Sequence, residues 1–589
     1  MQANRNNLDK SSSPYLLQHV NNPIWWQEWS SDIINHAVEE DKPLFVSVGY
    51  STCHWCHVMA SEAFSDQETA NYLNYHFVCI KVDREQRMDI DQFLMDFINR
   101  QNGSGGWPLN VFLTTDLRPV YALTYAPAKP VNSVLSFLSI SQKIYDFISK
   151  NKDSIPQFNP GIFYPSASHA DDLVDLIFRN FDRENGGFGR GQKFPSHSTL
   201  LYLLYLLSTE ENYTAREICT KTLDAMIFRG LNDHLQGGIF RYCVDPQWTI
   251  PHFEKMLYDQ AMALWVFSLA YRLIGNPLYK SMAENILRCL DESFEDGGVY
   301  ISAHDADTGH EEGATYLWSL DELESSLTAD EFLRFSETYD IESNGNFEGR
   351  NHLIRNNDTK LKDIEDKLLV IRKSRNQPSR DEKIQCGINA LTAISLIQAG
   401  RNLDRIDLEE KAASLVKILI ETFWDGKTLG HSSFKGVIQR QGFLSDAATM
   451  LTAISMLYEN DPSWKERMTI TTTYINTFKE GDDWFESKVD DFHPVSASMF
   501  DHPFPSGLSF FRMGITRAMI LSGCLISPME YRQPLQADFC NIAAMISNGL
   551  FHVYTTKEFI PWNQLPPNSL QKRGEPEDHC YKGVCRPYN

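Results

Sequence analysis

The stretch Leu44–Met59 constrains the fold more than any other part of the chain. Leu44-Phe45-Val46-Ser47-Val48 is a short, β-rich apolar run, and Cys53-His54-Trp55-Cys56 follows it at the head of a helical pattern. A buried strand feeding a helix that carries a cysteine pair in its first turn predicts an α/β domain. A thiol at a helix N-terminus has its thiolate stabilised by the helix dipole and by unpaired amides. Cys53 is then the nucleophile, and Cys56, one turn on, resolves the mixed disulfide. His54 and His57 favour the thiolate further when charged, and Trp55 lies between the two sulfurs in sequence. Two other readings stand beside this one. The pair is half of a zinc site that His57 and Cys79 complete, or it is an inert thiol pair.

Further strands are expected at Phe77–Val82 and Leu109–Leu113, with helices over Asp32–Asp41 and Asp91–Arg100. Trp107-Pro108 sits just before the third strand, where a cis-proline faces the cysteine pair in thioredoxin-like domains. The polar, proline-bearing stretch that follows reads as a linker. Boundaries are placed at 1–155 for the α/β domain, 156–170 for the linker, 171–565 for a helical domain and 566–589 for a tail.

From Asp171 onward the apolar residues recur at helical spacing. Asp182–Phe188, Asp233–Ile239 and Glu295–Tyr300 share a Gly-Gly turn, and the copies stand about 50–60 residues apart. One helix pair per repeat over this length predicts six or seven hairpins closed into an (α/α)6 toroid, with an open solenoid as the rival. Loops after each Gly-Gly then ring a central pocket, whose candidates include His234, Arg241, Asp305 and Asp307. Pro251 suits the first turn of a helix. On that helix His252, Lys255 and Asp259 fall on one face, with Glu254 beside them. Such groups can bind a polyhydroxylated ligand or move protons, while a solvated helix face and helix-capping carboxylates are the plainer roles.

Residues Tyr50–Met59, Val82-Asp83-Arg84-Glu85, Gly103–Leu109, Lys193-Phe194-Pro195, Pro251–Asp259, Asp305-Ala306-Asp307 and Gly345–Gly349 together resemble the spermatogenesis-associated protein 20 family. The resemblance implies a thioredoxin-like fold followed by a six-hairpin toroid similar to glycosidases and N-acylglucosamine 2-epimerases. The chain departs from the family pattern at Asp381-Glu382-Lys383, Leu444-Ser445-Asp446 and Pro505–Ser509. By this reading the later half of the toroid has lost lining residues. Ser47 stands where thioredoxins proper carry a buried Asp.

The net charge of −23 argues against nucleic acid and anionic membranes as partners. No run reaches the length of a membrane span, so a cytoplasmic protein is expected. Eleven mostly scattered cysteines suggest buried free thiols at 219, 243, 289, 386, 524 and 540. Cys580 and Cys585 form a second close pair, either two free thiols or a dithiol that exchanges with Cys53/Cys56. Neither a cofactor nor a metal is expected. The leading function is thiol–disulfide exchange on a protein or small-molecule partner. The alternatives are a carbohydrate-active enzyme, and a glycan- or protein-binding toroid with a redox-sensing domain.

Overall fold

The computed structural model describes residues 3–160, 167–168, 172–208, 211–498, 501, 503–523, 533–534, 552–581 and 584–588. Strand β2 (Leu44–Gly49) is buried along its whole length, as its unbroken apolar run requires. It pairs in parallel with β3 (Val78–Asp83) and antiparallel with β4 (Leu109–Leu113). β1 (Gln27–Glu28) and β5 (Pro119–Leu123) complete a sheet of order β1-β3-β2-β4-β5. Alternate side chains build two cores: Phe45 and Phe112 pack on one face, and Val46, Val48, Ile80 and Val111 on the other. Helices α1 (Pro14–Leu17), α2 (Ser31–Glu39), α3 (His54–Ser61), α4 (Gln67–His76), α5 (Met88–Asn102) and α6 (Phe137–Asn151) surround the sheet. This is a thioredoxin-like domain with the cysteine pair opening α3.

The second domain alternates outer and inner helices: α7 (Asp172–Asn180), α8 (His197–Leu207), α9 (Tyr213–Phe228), α10 (Leu257–Ile274) and α11 (Pro277–Cys289). An insert of α12 (Leu320–Ser326), α13 (Ala329–Thr338) and α14 (Lys362–Lys373) has its own small core. Then follow α15 (Cys386–Leu403), α16 (Ile406–Phe423), α17 (Leu444–Asn460), α18 (Lys465–Ile475) and α19 (Gly507–Leu521). Each of α8, α10, α15, α17 and α19 packs against the next, and α9, α11, α16 and α18 lie outside them. The inner helices are buried on nearly every side; α10 is buried without a break from Leu257 to Ala270. The domain is an α/α toroid, and the hairpin expected after α19 lies outside the described residues. The Gly-Gly turns take the left-handed backbone that only glycine adopts freely, with φ of 88° and 77° at Gly237 and Gly238. Each joins an outer helix to an inner one, so the loops gather at the end of the toroid where the inner helices begin.

The expected tail is not a free segment. His552–Thr556, Ser569–Arg573, Asp578–Tyr581 and Val584–Pro587 form a four-stranded sheet that starts before residue 566. Cys580 and Cys585 face each other across a strand pair and are joined in a disulfide, so neither is a free thiol. This sheet sits at the far end of the toroid: Arg272 in the last turn of α10 bonds Trp562 and Leu565, and the Gln571 amide donates to Glu459 at the end of α17. The thioredoxin-like domain covers the opposite end. The 18 residues of α10 separate the two by about 27 Å, which rules out direct exchange between the two disulfides in this arrangement. Cys219, Cys243, Cys289 and Cys386 are buried free thiols, while Cys524 and Cys540 lie outside the described residues.

Candidate functional site

Cys53 is itself the N-cap of α3, with its Sγ accepting the Cys56 amide at 3.2 Å. The two sulfurs are joined in a disulfide. Cys53 is 3% exposed and Cys56 1%, because the toroid closes over this end of the domain. The Trp107–Pro108 bond is cis, as expected. Trp107 lies under the Arg84 guanidinium and donates from Nε1 to Asp91 at 2.7 Å, while Trp55 is largely exposed.

Residues flanking the pair are bonded to the toroid. The Tyr50 hydroxyl and Thr52 Oγ1 each donate to Glu254 at 3.0 Å, one to each carboxylate oxygen. Arg241 reaches the same carboxylate at 2.8 Å and His252 at 3.2 Å. Burial pushes Glu254 up, but Arg241 and His252 outweigh it and hold the carboxyl below its ordinary range. His252 also meets Glu312 at 2.5 Å. Asp307 lies between two histidines, with His54 Nδ1 at 2.8 Å from one oxygen and His57 Nδ1 at 3.2 Å from the other. Asp305 is 3.9 Å from His57 Nδ1. Burial works against a charged His57, yet Asp307, Asp305 and the Ser51 carbonyl raise it to about 9. Burial also raises Asp305, to about 6, with His57 opposing, whereas His54 and His57 hold Asp307 well below the carboxylate range.

A second layer clamps the domains. Lys383 is fully buried with Asp83 at 2.8 Å, Glu85 at 2.7 Å and Asp381 at 3.2 Å; the first two come from the thioredoxin-like domain and the third from the toroid. Asp381 also receives the Ser51 hydroxyl. Beneath the sheet, Lys81 bonds Ser47 at 3.0 Å among Tyr15, Trp26 and Phe64, and burial pushes its amine well down.

Between the domains lies a cavity of about 220 Å³, lined by Arg84, Glu85 and Asp91 on one side and by the first turns of α10, α15, α17 and α19 on the other. His431, Asp446 and Glu486 line it too. His431 donates from Nε2 to the Glu85 carbonyl at 2.6 Å and meets Asp446 through Nδ1 at 2.8 Å. Burial raises Glu85 and Glu486 despite Lys383 beside Glu85 and Ser445 on Glu486. The Tyr258 hydroxyl in the wall has no hydrogen-bond partner among the described residues. The later half of the toroid therefore keeps polar lining: Asp446 belongs to a segment that departs from the family pattern in sequence, and His431 and Glu486 were not singled out there.

Of the candidates, Cys53, Cys56, His54, His57, Arg241, His252, Glu254, Asp305 and Asp307 converge at the domain junction. His234, Lys255 and Asp259 do not. The expected helix carrying a His252/Lys255/Asp259 stripe is absent: Pro251–His252 and Lys255–Met256 are short strands, paired with Tyr242–Cys243 and Ala303–His304, and the helix begins at Leu257. Lys255 instead joins Arg372 on Asp233, at 2.6 and 2.8 Å, inside the insert contact. Asp259 faces His197 at 3.4 Å. Burial lowers His234 to about 3, and its ring bonds the Arg229 carbonyl. Cys79 is a buried thiol of β3 in register with Phe45 near the start of β2, at the opposite end of that strand from α3, so it lies away from the cysteine pair and does not complete a zinc site with it.

A family model of thioredoxin-like DsbH proteins, described as a protein of unknown function, DUF255, matches residues 5–163. Spermatogenesis-associated protein 20 of Rattus norvegicus is 32% identical over 543 residues, covering 79% of this chain and 68% of that protein. An uncharacterised Caenorhabditis elegans protein, B0495.5, is 37% identical over 374 residues, 58% of this chain and 51% of its own length. A solved sugar epimerase from a ruminal bacterium aligns over 60% of this chain and 97% of its own at 14% identity and a TM-score of 0.31. The chain belongs to the spermatogenesis-associated protein 20 family.

Proposed function

We propose that this protein is a thiol–disulfide oxidoreductase acting on a small thiol or disulfide admitted between its two domains. The observation that carries the reading is the Cys53–Cys56 pair at the start of α3, with Cys53 Sγ on the Cys56 amide and His54 and His57 held positive by toroid carboxylates. In the reduced protein, helix dipole, amide and imidazolium charge all favour the Cys53 thiolate. That thiolate attacks one sulfur of a substrate disulfide and expels the other as a thiolate. Cys56 then loses its proton and attacks Cys53, which releases the second substrate thiolate. The protein dithiol ends as a disulfide, and one substrate disulfide ends as two thiols. The low exposure of Cys53 supports a small substrate over a folded protein. In a single-turnover assay, reduced protein is expected to convert about one equivalent of a small disulfide such as oxidised glutathione, and far less of a protein disulfide such as that of insulin. Preference for insulin would remove the size restriction, and no conversion of either would end the reading.

A second reading rests on the interdomain cavity. Carboxylates raised by burial, a histidine and the Tyr258 hydroxyl, unpartnered among the described residues, fit a small polyhydroxylated ligand and acid–base chemistry on it. Calorimetry with mono- and disaccharides, on wild type and Asp446→Asn, tests this; heats unchanged by the substitution count against it.

A further inference from the structure

We infer that His57, Asp305 and Asp307 form a binding site for a divalent transition-series cation of the Zn²⁺ class, built across the domain junction beside the cysteine pair. His57 fixes the argument. Its Nε2 lies 2.8 Å from the Ser51 carbonyl oxygen, which can only accept, so Nε2 carries the hydrogen. A neutral ring then points the Nδ1 lone pair at Asp307, 3.2 Å away, and at Asp305, 3.9 Å away. Lone pair against carboxylate is repulsive unless a proton or a metal ion sits between them. His54 stands outside this set: its Nδ1 is hydrogen-bonded to the other Asp307 oxygen at 2.8 Å, and its Nε2 faces Glu312 at 4.0 Å rather than a backbone carbonyl. A backbone carbonyl on the far nitrogen is the partner that metal-bound imidazoles ordinarily have.

The distances suit an ion. Donors of a tetrahedral site at 2.0–2.1 Å from the metal stand about 3.3 Å apart, and His57 Nδ1 stands 3.2 Å from Asp307 and 3.9 Å from Asp305. Donor atoms of His57, Asp305 and Asp307 all lie within 4.8 Å of one another. An imidazole nitrogen with carboxylate oxygens favours Zn²⁺, Fe²⁺ or Mn²⁺ over Mg²⁺ or Ca²⁺, which take oxygen. A neutral His57 ring and two carboxylates sum to two negative charges, which one divalent ion balances. The competing occupant is a proton on His57 Nδ1. The inference does not depend on thiol exchange, and an ion here supplies the same positive charge near Cys53.

The test uses the full chain with both disulfides intact, so that thiolates are withheld, after stripping with a chelator near neutral pH. Zn²⁺ is titrated by calorimetry and Co²⁺ by its visible spectrum. The expected result is about one ion per chain, a Zn²⁺ dissociation constant below about 1 µM, and a Co²⁺ spectrum with nitrogen and oxygen donors and no thiolate charge-transfer band. His57→Ala and Asp305→Asn should each weaken binding at least about 100-fold, and a Cys53→Ser/Cys56→Ser variant should keep it. Asp305 has the longest contact to His57, so its substitution is the variant best placed to fold if His57→Ala does not. No binding at about 100 µM Zn²⁺, or binding indifferent to Asp305→Asn and His57→Ala, overturns the site and leaves a proton as the occupant.

Discussion

Replacing Lys383 by Met would show how the two domains are held in register. Among the described residues the ammonium is the one cation within ion-pair distance of Asp83, Glu85 and Asp381 together, all three nearly fully buried. Met preserves volume and removes the charge, leaving three carboxylates facing one another without a counter-ion. Breaking a buried ion pair on one side costs about 3–5 kcal/mol, which shifts the equilibrium by roughly two to four orders of magnitude. The cost depends on pH in a definite direction. Without Lys383 the Glu85 carboxyl stays protonated in the fold to a higher pH than the roughly 4 of the unfolded chain. The penalty is therefore small near pH 4, grows as pH rises through the folded value, and is complete above it. Glu85 is already raised by burial with the lysine present, so it leads this behaviour. Urea unfolding followed through the thioredoxin-like domain should show Lys383→Met losing about 3–5 kcal/mol at pH 8 and recovering part of it at pH 5.5. A loss below about 1 kcal/mol at pH 8, or one that grows on acidification, refutes the reasoning.

Asp91 is pushed up to about 6 by burial, against Arg84 and the Trp107 indole that donates to it. A carboxyl raised in the fold makes the protein less stable as pH climbs from about 4 to 6, and Asp91→Asn should flatten that slope in thermal unfolding across the range. The same substitution should abolish a Trp107 fluorescence transition near pH 6; a transition that survives assigns it elsewhere. Cys580→Ser/Cys585→Ser should leave the reduction of Cys53–Cys56 unchanged, because the toroid stands between them; altered kinetics in a thiol-trapping assay would mean that the tail sheet detaches and reaches the other end. Glu254→Gln keeps the shape but removes the charge that Arg241, His252, Tyr50 and Thr52 share, and hydrogen exchange at Tyr50–Cys53 should accelerate; unchanged protection there contradicts the role of Glu254 as the junction's anchor.

The thioredoxin-like domain was legible because its signals are local. The apolar run of β2, the cysteine pair one turn into α3 and Ser30 capping α2 all lie within a few residues of what they specify. The Gly-Gly turns were legible for the same reason, since left-handed backbone demands glycine. The junction was not legible. Asp307 meets His54 across 253 residues and Asp381 meets Ser51 across 330, and nothing in the local pattern encodes such pairings. The Pro251–Asp259 stripe misled because strand pairing with Ala303–His304 and Tyr242–Cys243 overrode a helical period that fitted equally well. Lys81 had a signal that went unread: a lysine in mid-strand, flanked by Ile80 and Val82, has to find a buried partner. The polar composition of 566–589 hid a hairpin whose pairing brings Cys580 opposite Cys585.

The central claim is that Cys53 and Cys56 form a working redox couple at a closed domain junction. Equilibrating the full chain in graded dithiol/disulfide buffers and trapping free thiols on Cys53 and Cys56 tests it most directly. The account predicts one reversible two-electron transition at this pair, lost in Cys53→Ser and retained when Cys580 and Cys585 are replaced. A pair that stays oxidised, or stays reduced, at every buffer ratio would contradict it.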